Sequence, residues 1–270
     1  NPTPPSERRQ PGGQHSKPNT FNMEVHTHAH TERKKWTHFL WEFIMLFLAV
    51  FCGTLAENQR EHMIEKRREK EYMESLVKDL QSDTAACKTY IRLAEQQSGL
   101  QDSLIHLVNF GKLEGDNVLK LYQLSYATTR IIRAPFENRT AVQLKNSGSM
   151  RLISDADVAD SIRAYWAMQE TADRISDRIE NAGSEVRNIA ILIFHNKYAS
   201  LPDLSISAEP VISPDARFIQ NDPVLFAEYS NRVFTKRRII YNYIVYLYRI
   251  HDAATDLMKL IREEYRVKEK

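Results

Sequence analysis

WTHFLWEFIMLFLAVFCGTLA, residues 36–56, decides how this chain folds. A helix needs about 20 mostly apolar residues to cross the hydrocarbon core of a bilayer. This run supplies them, with a polar edge and one acidic residue, Glu42. Trp36 and Trp41 stand at one end, where amphipathic rings sit at the membrane–water boundary. The stretch predicts one transmembrane helix. The run IIYNYIVYLYRI at 239–250 is too short and too polar to be a second.

Immediately after the span comes ENQREHMIEKRREKE, residues 57–71, with five acidic and five basic residues and no helix breaker. Such mixed charge is the pattern of a solvated helix, so the span is expected to continue as a charged stalk, a spacer rather than a binding surface. Apolar residues at helical spacing resume at Tyr72, Leu76 and Leu80 and recur through Ile91, Leu93, Leu100, Leu104, Leu107 and Val108, until Gly111 and Gly115 end the segment.

A shorter helix is expected from Asp116 to about Thr128, and Pro135 breaks the chain after it. The next unit runs from Glu137 to Ser147, with Gly148 as a left-handed cap. Ser154 followed by Asp157 resembles a capping box that opens a helix over about 155–198. In that helix Val158, Tyr165, Ala172, Ile179, Val186 and Ile193 recur every seven residues, so one long face must be buried against other helices.

Residues 200–222 hold three prolines and scattered apolar residues, among them Leu204, Ile206, Phe218 and Ile219, which predicts a packed loop. Asp222 and Pro223 then form a plain helix start. Val233, Ile240, Leu247, Ala254 and Ile261 repeat by seven in the last helix, over about 223–266. The fold class is therefore all-α. A disordered polar tail (1–35) precedes a transmembrane helix (36–56) and a charged stalk (57–71), and a helical bundle occupies 72–270. The Pro- and Gly-rich residues 1–22 lack apolar periodicity and cannot offset ordering entropy, and Met23 is a candidate natural start.

Composition narrows the function. With 37 basic against 35 acidic residues in 270, no global field attracts nucleic acid, and no nucleic-acid partner is expected. The eight glycines form neither GxGxxG nor GxxxxGK[ST], so no phosphate-cradling loop and no cofactor are expected. Cys52 and Cys87 make no disulfide framework. A lipidated Cys52 would need a small residue before it, where Phe51 stands, and the charged helix after Ala56 disfavours cleavage there.

Candidate sites are few. Glu42 is the membrane-functional candidate, because an acidic side chain in a bilayer is expensive and is functional by default. Its place near Trp36 also allows a near-interface carboxylate pairing with Lys35, His38 or a neighbouring protomer. His26, His28 and His30 alternate along the tail and are weak metal candidates, since imidazole suits Zn, Cu or Ni but no Cys or carboxylate stands at fixed spacing. His106, His195 and His251 stand alone, with no nucleophile motif near them. In TKRRIIYNY, 235–243, the heptad explains the aromatics as core and the basic triplet as a solvated face rather than a stacking platform for nucleic acid.

Two blocks carry a resemblance. WEFIMLFLAVFCGTLAENQRE (41–61), followed by REKEYMESLVKDL (68–80), is the first, and LKNSGSMRLISDADV through IRAYW (144–166) is the second. Together they resemble a bacterial family of uncharacterised single-span membrane proteins, a domain-of-unknown-function family with a Glu-containing N-terminal span and a helical domain. The resemblance covers most of Met23 to Lys270. It implies that Glu42 matches the family's recurrent acidic residue, and that Ser147 and Gly148 form its helix junction. Cys52, Gly53 and Thr54 depart from the aliphatic residues usual there.

The functional expectation is a membrane-anchored helical interaction protein, a scaffold, assembly or sensor component without catalytic activity. Its expected partners are the lipid bilayer and either a homo-oligomer or other membrane proteins. The expected setting is a bacterial inner membrane, single-pass, with the C-terminal domain periplasmic, because the N-terminal cluster Arg33, Lys34 and Lys35 lies nearest the span. The alternatives are a Glu42-dependent component of an ion-driven membrane machine, and an exported ligand-binding sensor domain.

Overall fold

A computed structural model of the chain describes residues 36–200 and 210–267. The expected disordered tail with Met23, His26, His28 and His30 lies outside the described residues, as do Leu204 and Ile206 of the late loop. The described part is all-α: helices α1 (Trp36–Phe110), α2 (Asp116–Ala127), α3 (Arg139–Asn146), α4 (Ala156–Ile193) and α5 (Pro223–Tyr265). A two-residue antiparallel ladder joins β1 (Ala199–Ser200) to β2 (Val211–Ile212).

Helix α1 runs 75 residues. No proline occurs between Trp36 and Phe110, so nothing in the chain removes a backbone donor or clashes with the preceding turn. The chain divides into two compact units at Glu57/Asn58. In the first, the apolar residues 36–56 are helical and solvent-facing, and the window that meets the length and composition for crossing a membrane has none of its residues buried.

In the second unit, α1 from Asn58, α4 and α5 form the bundle. Glu69 of α1 meets Ser154 before α4, Asp83 meets Tyr165 and Gln169, and Leu104 and Leu107 share a cluster with Val186 and Ile193. The residue numbers in these pairings rise together along both helices, so α1 and α4 are parallel. Tyr265 meets Glu69 and Arg237 meets Asp102, so α5 is antiparallel to both.

Parallel neighbours cannot be joined by a short turn. The connection between α1 and α4 therefore returns along the bundle, through α2, an irregular segment at 129–138, and α3. Ile132 and Ala134 are buried in that segment. The Ala134 N–H donates to the Tyr243 hydroxyl (3.0 Å), and Gln97 Nε2 donates to the carbonyls of Thr128 and Arg130 (2.9 Å each).

Several boundaries differ from the sequence reading. Asp155, not Ser154, caps α4: its Oδ1 accepts from the Val158 N–H (2.8 Å), while the Ser154 N–H and hydroxyl both donate to Glu69 Oε1. Helix α3 begins two residues late, at Arg139, and the Glu137 N–H ahead of it donates to Asp83 Oδ1 (2.7 Å). Helix α4 stops at Ile193 with no breaker beyond it. Phe194 turns into an extended conformation and packs edge-on against Tyr122, Phe218 and Tyr229, with ring centroids 4.9–5.9 Å apart. Within the stalk Glu69 is buried rather than solvated, and farther along α1 Leu93 is exposed.

The α5 heptad is buried as its period demands. Val233, Ile240, Leu247, Ala254 and Ile261 are fully inaccessible, while Val245 and Tyr248 on the opposite face are exposed. A Leu247→Ala substitution should lower the unfolding free energy by about 3 kcal/mol, from lost apolar contact plus the residual cavity. Val245→Ala should change it by less than about 0.5 kcal/mol. Denaturant unfolding of both variants measures the contrast, and equal effects would contradict this packing.

Candidate functional site

Glu42 lies on the exposed surface of the apolar helix, one turn after His38, with His38 Nε2 3.3 Å from Glu42 Oε1. The side chains are 50% and 52% exposed. Of the partners expected for Glu42 within the chain, the structure shows His38; Lys35 lies outside the described residues. The pairing offers the carboxylate a donor from its own helix, which lowers the cost of a polar group in an apolar environment.

The second candidate, Ser147–Gly148, forms the turn after α3. Gly148 has φ 63°, a left-handed conformation that a side chain would strain, and this is the physical need for glycine there. The Ser147 hydroxyl donates to the Gln143 carbonyl (2.6 Å) and lies 2.6 Å from Ser149 Oγ, and Ser149 in turn reaches the Tyr72 hydroxyl of α1 at 3.5 Å. Hydrogen bonds from Ser149 and Ser147 lower the Tyr72 phenol below its ordinary range. The junction is thus a fastening between α3 and α1. Glu42 and Ser147–Gly148 belong to different units of the chain.

Three buried carboxylates on α1 were not singled out from the sequence. Glu69 Oε1 accepts from the Ser154 N–H, the Ser154 hydroxyl (2.9 Å) and the Tyr265 hydroxyl (2.6 Å). Asp79 accepts from the Thr140 N–H (3.1 Å), the Thr140 hydroxyl (2.6 Å) and Arg139 (3.1 Å). Asp83 accepts from the Glu137 N–H, the Tyr165 hydroxyl (2.7 Å) and Gln169 Nε2 (2.8 Å). A signal existed: Asp83 falls on the stripe of Leu76, Leu80 and Cys87, where a solvated acid would not be placed.

Burial pushes the Asp83 carboxyl up to about 6, against the pull of the Glu137 N–H and the Tyr165 hydroxyl, which favour its charged form. Burial likewise pushes the neighbouring Cys87 thiol up to about 12, which leaves it un-ionised at neutral pH and unreactive.

At the other end of the bundle, Lys236 corrects the reading of the 236–238 triplet as a solvated face. It is 2% exposed, and its Nζ donates to the Thr128 carbonyl at 2.7 Å. Burial pushes its ammonium down to about 8, and the Arg187 guanidinium adds to the shift. Tyr122 links the same end: its hydroxyl donates to the Arg217 carbonyl (2.8 Å) and accepts from the His195 N–H (2.9 Å). Gln101, fully buried, finds no partner for either amide atom.

The single histidines are not drawn together. His106 meets the Phe110 ring at a tilt near a helix end, His195 uses its backbone in the Tyr122 contact, and His251 lies beside Asp252. Among the described residues no group of three His, Cys, Asp or Glu side chains is arranged to hold a metal ion. A cleft of about 370 Å³ beside Trp166 is lined by Arg133, Phe136, Val142, Lys145 and Glu170. Lys145 already lies over the Trp166 ring at 5.0 Å and pairs with Glu170 at 3.5 Å. No family model, no curated protein and no solved structure matches the chain.

The two shifted groups give opposite pH signatures. Between about pH 4 and 6 native Asp83 keeps a proton that the unfolded chain has released, so its contribution to stability falls as pH rises through that window. The difference in unfolding free energy between wild type and Asp83→Asn should therefore move in favour of wild type as pH drops from 6.5 to 4. A flat or reversed difference would contradict the buried, raised carboxyl.

Native Lys236 carries its unfavourable buried charge in full below about pH 8 and sheds it before the unfolded chain does, so stability from this group rises between about pH 8 and 10.5. Lys236→Met should raise the melting temperature at pH 7, and the gain should shrink by pH 10. The Thr128 carbonyl is not orphaned in that variant, because Gln97 still donates to it.

Proposed function

We propose that the chain is a single-pass, membrane-anchored helical interaction protein, a scaffold, assembly or sensor component rather than an enzyme. The observation that carries this reading is the apolar helix over Trp36–Ala56, exposed along its length, on the same chain as an all-α bundle whose buried polar groups serve helix fastening. A soluble core helix of that length would be mostly covered. The carboxylates of Glu69, Asp79 and Asp83 are each occupied by three donors from neighbouring segments, an arrangement suited to holding helices rather than to turning over a substrate.

The setting proposed is a bacterial inner membrane with the C-terminal domain in the periplasm. It is supported by the basic cluster at Arg33, Lys34 and Lys35 and by the resemblance of blocks 41–61 and 144–166 to the bacterial single-span family. Partners proposed are the bilayer itself and other copies of the chain or other membrane proteins. A second reading, a Glu42-dependent part of an ion-driven membrane machine, draws on the His38–Glu42 pair, two ionisable groups in contact beside an apolar run.

Full-length protein expressed in a bacterium should stay in the membrane fraction after alkaline carbonate extraction, and a C-terminal alkaline phosphatase fusion should be active. Release by carbonate would remove the anchor, and an active fusion only with a cytoplasmic reporter would reverse the orientation. Glu42→Gln separates the two readings: under the ion-driven one it abolishes function at unchanged membrane level, whereas under the interaction reading it lowers assembly or changes nothing.

A further inference from the structure

The buried core of the bundle changes character part-way along. One apolar cluster includes Ala94 of α1, Ile179 of α4 and Ile240 of α5 and extends to Ala141 and Leu144 of α3. A second, smaller cluster begins at Leu104, Val186 and Val233 and includes Leu121 and Leu124 of α2. Between them the buried residues are Gln97 and Gln101 on α1, Ala182 and Gly183 on α4, and Lys236 alone on α5. Asp102 and Arg237 pair at 2.8 Å beside this level, and Gln97 Nε2 and Lys236 Nζ share the Thr128 carbonyl. These residues form one polar layer across the three helices.

The layer is poorly satisfied. Gln101 is fully buried with neither amide atom partnered, and Gln97 Oε1 has no partner either. Buried polar groups left in that state are destabilising. Lys236 reaches Thr128 over Gly183, where a built Cβ would lie 3.4 Å from its Nζ and 3.3 Å from Arg187 Nη1, so a second cation lies close to the buried ammonium. Water admitted to this level would relieve both Gln101 and Lys236.

Each helix that crosses the layer has a terminus about two to four turns beyond it: α1 ends at Phe110, α4 ends at Ile193 and α5 begins at Pro223. The α2 end can therefore unwind from helix termini without breaking any helix in its middle. Baring Leu104, Val186, Phe226 and Val233 opposes that opening, and hydrating Gln101 and Lys236 offsets part of the cost. The buried acids of the α3 end are each partnered, so opening there gains nothing comparable.

We propose that the α2 end, residues 104–127, 186–200 and 210–233, opens as one cooperative unit while the α3 end stays folded, and that the Gln97–Gln101–Lys236 layer is where the opening stops. Segments that move in regulation are drawn from the less stable parts of a fold, so the α2 end is the moving part of this bundle. Opening of this kind requires only the bundle and does not depend on how the span is anchored.

Hydrogen–deuterium exchange of the full-length protein in detergent micelles, read at single amides, tests this. Amides of α2 and of 104–110, 186–193 and 227–233 should share one opening equilibrium, at least about tenfold larger than that of 73–91, 158–179 and 240–261. Ile250→Val, in the α3 end, should speed exchange there about two- to tenfold and leave the α2 end unchanged. Val233→Ala, in the α2 end, should speed exchange at both ends, because full unfolding includes the opening. Gln101→Leu with Lys236→Met should slow exchange across the α2 end.

Rates that climb residue by residue toward Phe110, Ile193 and Pro223 would mean fraying of separate helix ends and would overturn the cooperative unit. Acceleration of the α2 end by Ile250→Val would show a bundle that opens only as a whole. An α2 end that exchanges no more slowly in the double variant would remove the polar layer as the boundary.

Discussion

The bundle depends on one constraint: α1 and α4 run in the same direction, so the chain between them must travel back along the structure and have its backbone satisfied on the way. The carboxylates of α1 meet much of that demand. Asp83 takes the Glu137 N–H, Asp79 takes the Thr140 N–H and hydroxyl, and Glu69 takes the Ser154 N–H and hydroxyl. Hydrogen bonds to charged acceptors contribute about 1.5–3 kcal/mol each, and buried donors left unpaired cost about as much. Remove these acceptors and the return segment holds buried N–H groups with nowhere to go.

The same fastening explains the details that surround it. Glu69 draws Ser154 away from the helix terminus, which leaves capping to Asp155. Asp83 takes the Glu137 N–H just ahead of α3 and ties that end of the return segment to α1. At the opposite end the Thr128 carbonyl is the focus, accepting from Gln97 of α1 and Lys236 of α5. One end is thus organised by buried acids receiving donors and the other by a buried base giving them. That is why Asp83 and Lys236 are displaced from their ordinary ranges, each toward its neutral form.

Long-period features were legible in the sequence. The heptads of α4 and α5 marked the buried faces because each repeats over many turns, and Asp222 with Pro223 fixed the start of α5 because the cap chemistry is local. What could not be read was set by partners distant in the chain. Ile193 ends α4 because Phe194 is drawn into rings from residues 122, 218 and 229, and nothing local marks the stop. Lys236 looked like one of three surface bases, since its acceptor lies over a hundred positions away. Among the site candidates, Gly148 was readable because only its own backbone conformation is at stake. Glu42 stood out by composition, but its His38 partner was one of several in reach.

The α1 carboxylates, then, hold the returning segment in place. A double-mutant cycle between Asp79 and Thr140 tests this most directly, using Asp79→Leu, Thr140→Val and the double variant, with unfolding free energies from denaturant titration of the full-length protein in detergent. The hydroxyl contact at 2.6 Å, which both substitutions remove while the backbone N–H of residue 140 stays, predicts a coupling energy of about 1.5–3 kcal/mol. Additive effects, with a coupling below about 0.5 kcal/mol, would contradict it.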